Sequence, residues 1–153
     1  MRDELGRFVE AQAQIWPQPL EELARGRKTG HWMWFVFPQL KGLGRSATAQ
    51  HYGIRDLDEA RRYLAHPVLG PRLRAACAAM LAHAGTPPEA ILGPVDALKL
   101  RSCATLFRAA GGGEPFDAIL AAFYNGEPCP QTLRMLGNGG AAATAAGVSR
   151  NGR

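Results

Sequence analysis

The chain is short of the features that staple, load or anchor a small protein. Its three cysteines, Cys77, Cys103 and Cys129, form an odd, widely spaced set without any CxxC, which favours free thiols over a disulfide framework. The four histidines, His31, His51, His66 and His83, never stand three or four residues apart, so no zinc spacing arises, and no metal or other cofactor is expected. The longest unbroken apolar run, residues 32–37, falls far short of the ~18–20 residues that cross a bilayer. The first residues, Met1-Arg2-Asp3-Glu4, are charged and carry no apolar leader, so the expectation is a cytoplasmic protein without a membrane partner. Also missing are GxSxG, a P-loop, GxGxxG and HExxH, which removes the common signatures of serine hydrolases, nucleotide-loop enzymes and zinc proteases.

Lysine is scarce too. Only Lys28, Lys41 and Lys99 accompany fifteen arginines, and the 18 basic residues exceed the 13 acidic ones by five. Two of the bases, Arg150 and Arg153, lie at the C-terminal end; without them the excess falls to three. The rest are spread along the chain, whereas a phosphate-tracking domain concentrates charge on one face. Nucleic acid is therefore not an expected partner. Oligomeric state leaves no trace in the pattern.

What the chain does have is an aromatic centre. His31-Trp32-Met33-Trp34-Phe35-Val36-Phe37-Pro38-Gln39-Leu40 contains two of the three tryptophans and two of the six phenylalanines. Each such ring is worth roughly 1.5–3 kcal/mol when buried, so other elements must cover the segment. Its lack of alternation leaves a buried strand and a short buried helix both open.

Around it the periodicity is helical throughout. Apolar positions at spacings of three and four predict helices over residues 5–16, ended by Pro17; from Leu20 through the basic run Arg25, Arg27 and Lys28; and from Leu69 to Ala84, the strongest amphipathic stripe. Ser46 reads as an N-cap for residues 47–52, and Asp56 with Glu59 as a capping box. Thr86 reads as a cap, with a proline at the first position and Glu89 at the third of a short helix through Leu92, and Pro94 opens a long helix to about residue 110, stopped by Gly111-Gly112-Gly113. Two more follow, around Phe116–Phe123 and Thr132–Leu136. No strand is convincing. The expected fold is all-α: eight or nine short helices in one domain over residues 1–136. Residues 137–153, rich in Gly, Ala, Asn, Ser and Arg, are expected to be a disordered tail.

One helical face carries chemistry. Asp96, Lys99 and Cys103 stand at i, i+3 and i+7 in the long helix, with Ser102 beside Lys99 and Thr105 behind. Such a face is either a solvated ion pair or one wall of a pocket. His31, at the start of the aromatic segment, is the second candidate, either a structural imidazole or an acid/base at the mouth of an aromatic cleft. Trp32 and Trp34 read as core or as a stacking floor, and Gln39 and Tyr52 as polar groups near them.

These residues bring a family with them. Residues 28–39, then Gly42-Leu43-Gly44-Arg45-Ser46, Tyr52-Gly53-Ile54, His66-Pro67-Val68-Leu69-Gly70 with Arg72-Leu73, and Asp96 with Lys99-Leu100 and Thr105-Leu106-Phe107 resemble the DUF1810 family, also called Rv1873-like. The resemblance runs from about Leu5 to Leu136 and implies a small all-α bacterial protein with no assigned activity. Some members carry the label calpastatin, and nothing in these residues supports a protease inhibitor. Gly30 stands where the family usually has Ser, Cys103-Ala104 where it has Ser-Met, and Cys129 where it tends to have Asp. That directs attention to His31, Trp34, Gln39, Ser46, Tyr52, Asp96, Lys99 and Ser102 instead. The helix at Lys99-Leu100 also bears a remote likeness to the NADAR class of ADP-ribose glycosidases.

Two readings follow. In the first, a nucleotide- or ADP-ribose-like small molecule binds between residues 31–39 and 94–110. Trp32, Trp34, Gln39, Ser46, Tyr52 and Ser102 would be contacts there, with His31, Asp96 and Lys99 as reacting groups. In the second, the protein is a non-enzymatic interaction module whose groove takes a partner. A polar pocket converging on His31 and Asp96 would mark the first, and a shallow apolar groove the second.

Overall fold

The computed structural model describes residues 4–144, with side chains as far as Gly137. Ten helices follow one another among those residues: α1 (Gly6–Ala13), α2 (Gln18–Ala24), α3 (Met33–Val36), α4 (Ala47–Tyr52), α5 (Leu57–Ala65), α6 (Leu69–Leu81), α7 (Pro88–Leu92), α8 (Pro94–Ala109), α9 (Glu114–Tyr124) and α10 (Pro130–Thr144). The all-α expectation holds, with one or two helices more than the periodicity suggested. The only extended pairing among the described residues is a parallel bridge between Leu40 and Ile54. α10 continues past Gly137, where the sequence reading ended the domain; residues 145–153 of the expected tail lie outside the described residues.

The helix starts are where local chemistry put them. The Ser46 hydroxyl accepts the Ala49 N–H at 3.1 Å and opens α4, and the Asp56 carboxylate accepts the Glu59 N–H at 2.9 Å and opens α5. Glu59 reaches back, though to the Arg55 N–H at 2.8 Å rather than to that of the cap residue itself. Pro88 and Pro94 stand in the first turns of α7 and α8, and between those helices Gly93 turns the chain with φ of +88°, a value that glycine adopts without strain.

The aromatic segment resolves into a single helical turn, α3, and then an extended exit. Pro38 cannot continue the helix. Past it, Gln39 and Lys41 exchange main-chain hydrogen bonds with Ile54, at 2.9 and 2.8 Å. The buried Gln12 side chain donates to the Phe35 carbonyl at 2.6 Å, so the short helix does not leave that group unsatisfied. Trp32, Phe8, Tyr63, Phe37, Phe107 and Phe116 are all essentially inaccessible. Phe8, Tyr63, Phe107 and Phe116 form a line of ring contacts at 5.1, 5.3 and 5.6 Å, which ties α1 through α5 and α8 to α9.

The His66-Pro67-Val68-Leu69-Gly70 stretch is explained by the same joint. The His66 Nδ1 accepts the Val68 and Leu69 N–H groups at 3.1 and 3.2 Å, capping α6 from its own sequence. Gly70 lies so close to α5 that a Cβ there would sit 2.2 Å from the Leu64 carbonyl oxygen. Only glycine allows α5 and α6 to meet at that angle.

Candidate functional site

The site is built from α2 outward. Glu22, in the second half of α2, is 1% exposed. Its Oε1 accepts the Thr29 N–H at 2.7 Å, the Gly30 N–H at 2.9 Å and the Trp32 indole N–H at 2.9 Å, and its Oε2 accepts from Gln18 at 2.6 Å. Burial by itself raises a carboxyl; here the hydrogen bonds from Gly30, Gln18, Thr29 and Trp32 outweigh it and hold Glu22 at about 2, so it is a fixed anion. The loop after α2 is wound around that anion. Gly30 fits because a Cβ there would press on the Trp32 ring at 2.9 Å and on Glu22 at 3.2 Å.

The wound loop delivers Lys28 to α8. Its main-chain N–H donates to the Ile91 carbonyl at 2.8 Å, and its ammonium meets the Asp96 carboxylate at 2.7 Å and the Gly30 carbonyl at 2.6 Å. Lys99, one turn on, reaches the other Asp96 oxygen at 3.1 Å. Asp96 is thus clamped between two ammonium groups, and the three side chains are only 8–17% exposed. Each lysine also faces an indole: Lys28 lies 5.1 Å from the Trp32 ring centre and Lys99 3.8 Å from that of Trp34.

The two ammonium groups are unequally engaged. An ammonium has three N–H bonds. Lys28 uses two, on Asp96 and Gly30; Lys99 uses one, on Asp96, and makes no other hydrogen bond to a described residue, its ammonium lying against the half-buried Trp34. On the flanks of the same turn, Val95 and Leu98 are 64% exposed. The arrangement is therefore a cationic edge on an aromatic plate with an apolar margin.

The remaining residues singled out from the sequence do not gather there. Trp32 is in the core with its N–H bound to Glu22, which leaves it no face for a ligand. Cys103 and Thr105 point inward and are fully buried, so the polar face of α8 is narrower than the i, i+3, i+7 count suggested. Ser102 is buried, donates to the Leu98 carbonyl at 3.2 Å and contacts the Cys129 sulfur at 3.4 Å. Ser46 is spent as a helix cap. Gln39 is buried against the Ile54 strand-like bridge. His31 is exposed, and its imidazole makes no hydrogen bond to any described residue. Tyr52 packs on Phe8, Phe35 and His51. It lines a cleft of about 720 Å³ between α1, the end of α4 and the start of α5, which includes neither His31 nor Asp96.

Lys28 and Glu22 are the parts of the site that the sequence did not offer. Lys28 reads in the sequence as the end of a helix, and only the path of the loop makes it a partner of Asp96 and Glu22 its support. Among the described residues no group of three His, Cys, Asp or Glu side chains is arranged to hold a metal ion, and no helix is long and apolar enough to cross a membrane.

Comparison with known proteins adds a family and a structure. A family model described as a protein of unknown function, DUF1810, matches residues 2–136. The crystal structure of the conserved hypothetical protein Rv1873 from Mycobacterium tuberculosis is similar, with 48% identity and a TM-score of 0.85 over 87% of this chain and 96% of that one. No curated protein matches the chain.

Proposed function

Since the chain belongs to the DUF1810 family, whose description carries no activity, we propose its function from the site itself: binding of a small molecule that joins an anionic group to a flat ring, as nucleotide- and ADP-ribose-like ligands do. The observation that carries this reading is Lys99, an ammonium hydrogen-bonded among the described residues to Asp96 alone and held 3.8 Å over a half-buried indole. A phosphate takes point charges of that kind, and an aromatic plate beside it supplies stacking area. In this reading Lys99 and Lys28 hold the anion and Trp34 the ring. Asp96 orients the lysines and is the group assigned any proton transfer. Ser102, Gln39, Ser46 and Tyr52 support the surrounding elements, and Trp32 the floor beneath.

A thermal-shift panel of nucleotides, NAD, ADP-ribose and sugar phosphates tests it. A ligand at 100 times its Kd stabilises the folded state by about 2.7 kcal/mol. The expected result is a hit in the wild type that disappears in Lys99→Met, which keeps the aliphatic stem and removes the charge. A panel with no hit overturns the reading.

A second reading has its own observation. Val95 and Leu98, at 64% exposure on the same turn of α8, are large apolar side chains facing solvent beside a charged cluster, the composition of a small protein-docking edge. Under it, Leu98→Ser would abolish capture of a partner while leaving ligand-induced stabilisation untouched.

A further inference from the structure

We infer that the cleft between α1 and the α4–α5 junction is a second, separate binding site, and that its ligand is a small zwitterion carrying both an ammonium and a carboxylate: a free amino acid or a short peptide with free ends. The cleft's volume of about 720 Å³ lies within the range of sites that hold small molecules.

Its floor is rigid and already neutral. The Arg7 guanidinium donates to the His51 carbonyl at 2.8 Å and the Gly53 carbonyl at 2.9 Å, and pairs with both oxygens of the fully buried Glu59 at 3.3 Å each. Glu59 takes the Arg55 N–H as well. Neither ion has a charge left to offer, so the pair fixes the two walls without selecting a ligand by sign.

The walls carry the selection. Arg7 and Glu10 on α1 and Gln14 at its C-terminal cap are spaced at i, i+3 and i+7, so Glu10 and Gln14 continue the face that Arg7 turns into the cleft. The exposed Glu10 carboxylate has no ion-pair partner among the described residues. On the other wall, Lys41 is held by the Ile54 carbonyl through its main-chain N–H, and its backbone abuts Gly53 so tightly that a Cβ on that glycine would fall 2.5 Å from the Lys41 Cα. The Lys41 ammonium also has no partner among the described residues, and the amide of Gln50 lines the same side. An unpaired carboxylate and an unpaired ammonium therefore stand on separate walls over a neutral floor. A ligand of one sign satisfies one wall and leaves the other unpaired; a zwitterion satisfies both.

Titration of the full chain with free amino acids and dipeptides, followed by amide chemical shifts, tests the inference. N-acetylated and C-amidated forms of the same compounds serve as probes that each lack one charge. The expected result is saturable shifts at Gln14, Gln50 and His51 for at least one zwitterion, with affinity falling roughly tenfold or more for each blocked form and in each of Glu10→Gln and Lys41→Met. Both variants change exposed side chains, and their unchanged melting temperatures separate lost binding from lost folding. Blocked forms that bind as well as the zwitterion, or no shift from any compound at ~10 mM, overturn it. Nucleotide binding that depends on Lys99 and survives Glu10→Gln would belong to the α8 site, so the two assignments stand or fall independently.

Discussion

Glu22 is a carboxylate where carboxylates are rare, and its four donors explain why it is tolerated there. Its carboxyl is held at about 2 against an ordinary 4.5. A lowered folded value means that its stabilisation is complete above about 4.5 and is lost as the pH falls towards 2. The shift corresponds to about 3 kcal/mol. Glu22→Gln is expected to destabilise by about that amount at pH 7, in a denaturant titration, and the gap to the wild type should narrow steadily between pH 4.5 and 2. A gap that does not depend on pH would mean that shape, rather than charge, holds the loop.

Cysteine chemistry divides at the same scale. Cys77 and Cys103 are buried on the inner face, where burial pushes the first thiol up to about 12 and the second well above its ordinary range. Cys129 is half-buried at the start of α10; burial raises it, but hydrogen bonds from Ser102 and Thr132 outweigh that and bring it below its ordinary value. Since the thiolate is the nucleophile, iodoacetamide at pH 8 should label Cys129 roughly tenfold faster than the other two. Ser102→Ala should move the midpoint of the rate's pH profile upward. Peptide mass mapping reads both results.

At the scale of elements, what matters is how helices start and how closely they meet. Loss of the Ser46 cap should cost about 1 kcal/mol in Ser46→Ala, because one neutral hydrogen bond, from the Ala49 N–H, goes with the hydroxyl. Gly70→Ala should cost about 3 kcal/mol, although it adds one methyl, because that carbon would lie 2.2 Å from a main-chain oxygen that cannot move without dragging α5. Chemical denaturation of the two variants orders them, and the reverse order would contradict the account of the α5–α6 joint. Most starts were legible in the sequence: Ser46 and Asp56 act through neighbours three residues away and Pro94 through its own fixed φ, whereas α7 begins at Pro88, a residue later than a Thr86 cap implies. The aromatic segment was not, since residues 32–37 fit a strand or a helix equally well until Gln12, in α1, supplies a donor for the Phe35 carbonyl.

Across the whole molecule, the same limit governs the site. Asp96 and Lys99 could be paired from their spacing alone. The third member, Lys28, reaches Asp96 because Glu22 winds the loop, and Glu22 holds its charge because Trp32 closes over it. No local pattern encodes that sequence of contacts. The cleft was illegible for a similar reason, since α1 meets the α4–α5 junction through residues far apart in sequence, among them Arg7 with Glu59 and Phe8 with Tyr52. The resemblance carried by the His31-Trp32-Met33-Trp34-Phe35 and His66–Gly70 stretches located the fold correctly because those stretches are structural: one is the core and the other a helix joint.

The claim that Lys99 and Trp34 present a ligand site is tested most directly by the tryptophan side chains. The chain has three, Trp16, Trp32 and Trp34, so an amide-type NMR spectrum shows three indole N–H signals. On titration with ADP-ribose and nucleotides, the account predicts a saturable shift of the Trp34 signal, absent in Lys99→Met, while the Trp32 signal stays fixed on Glu22. Three indole signals that do not move at millimolar ligand, or a shift that persists without the Lys99 charge, would contradict it.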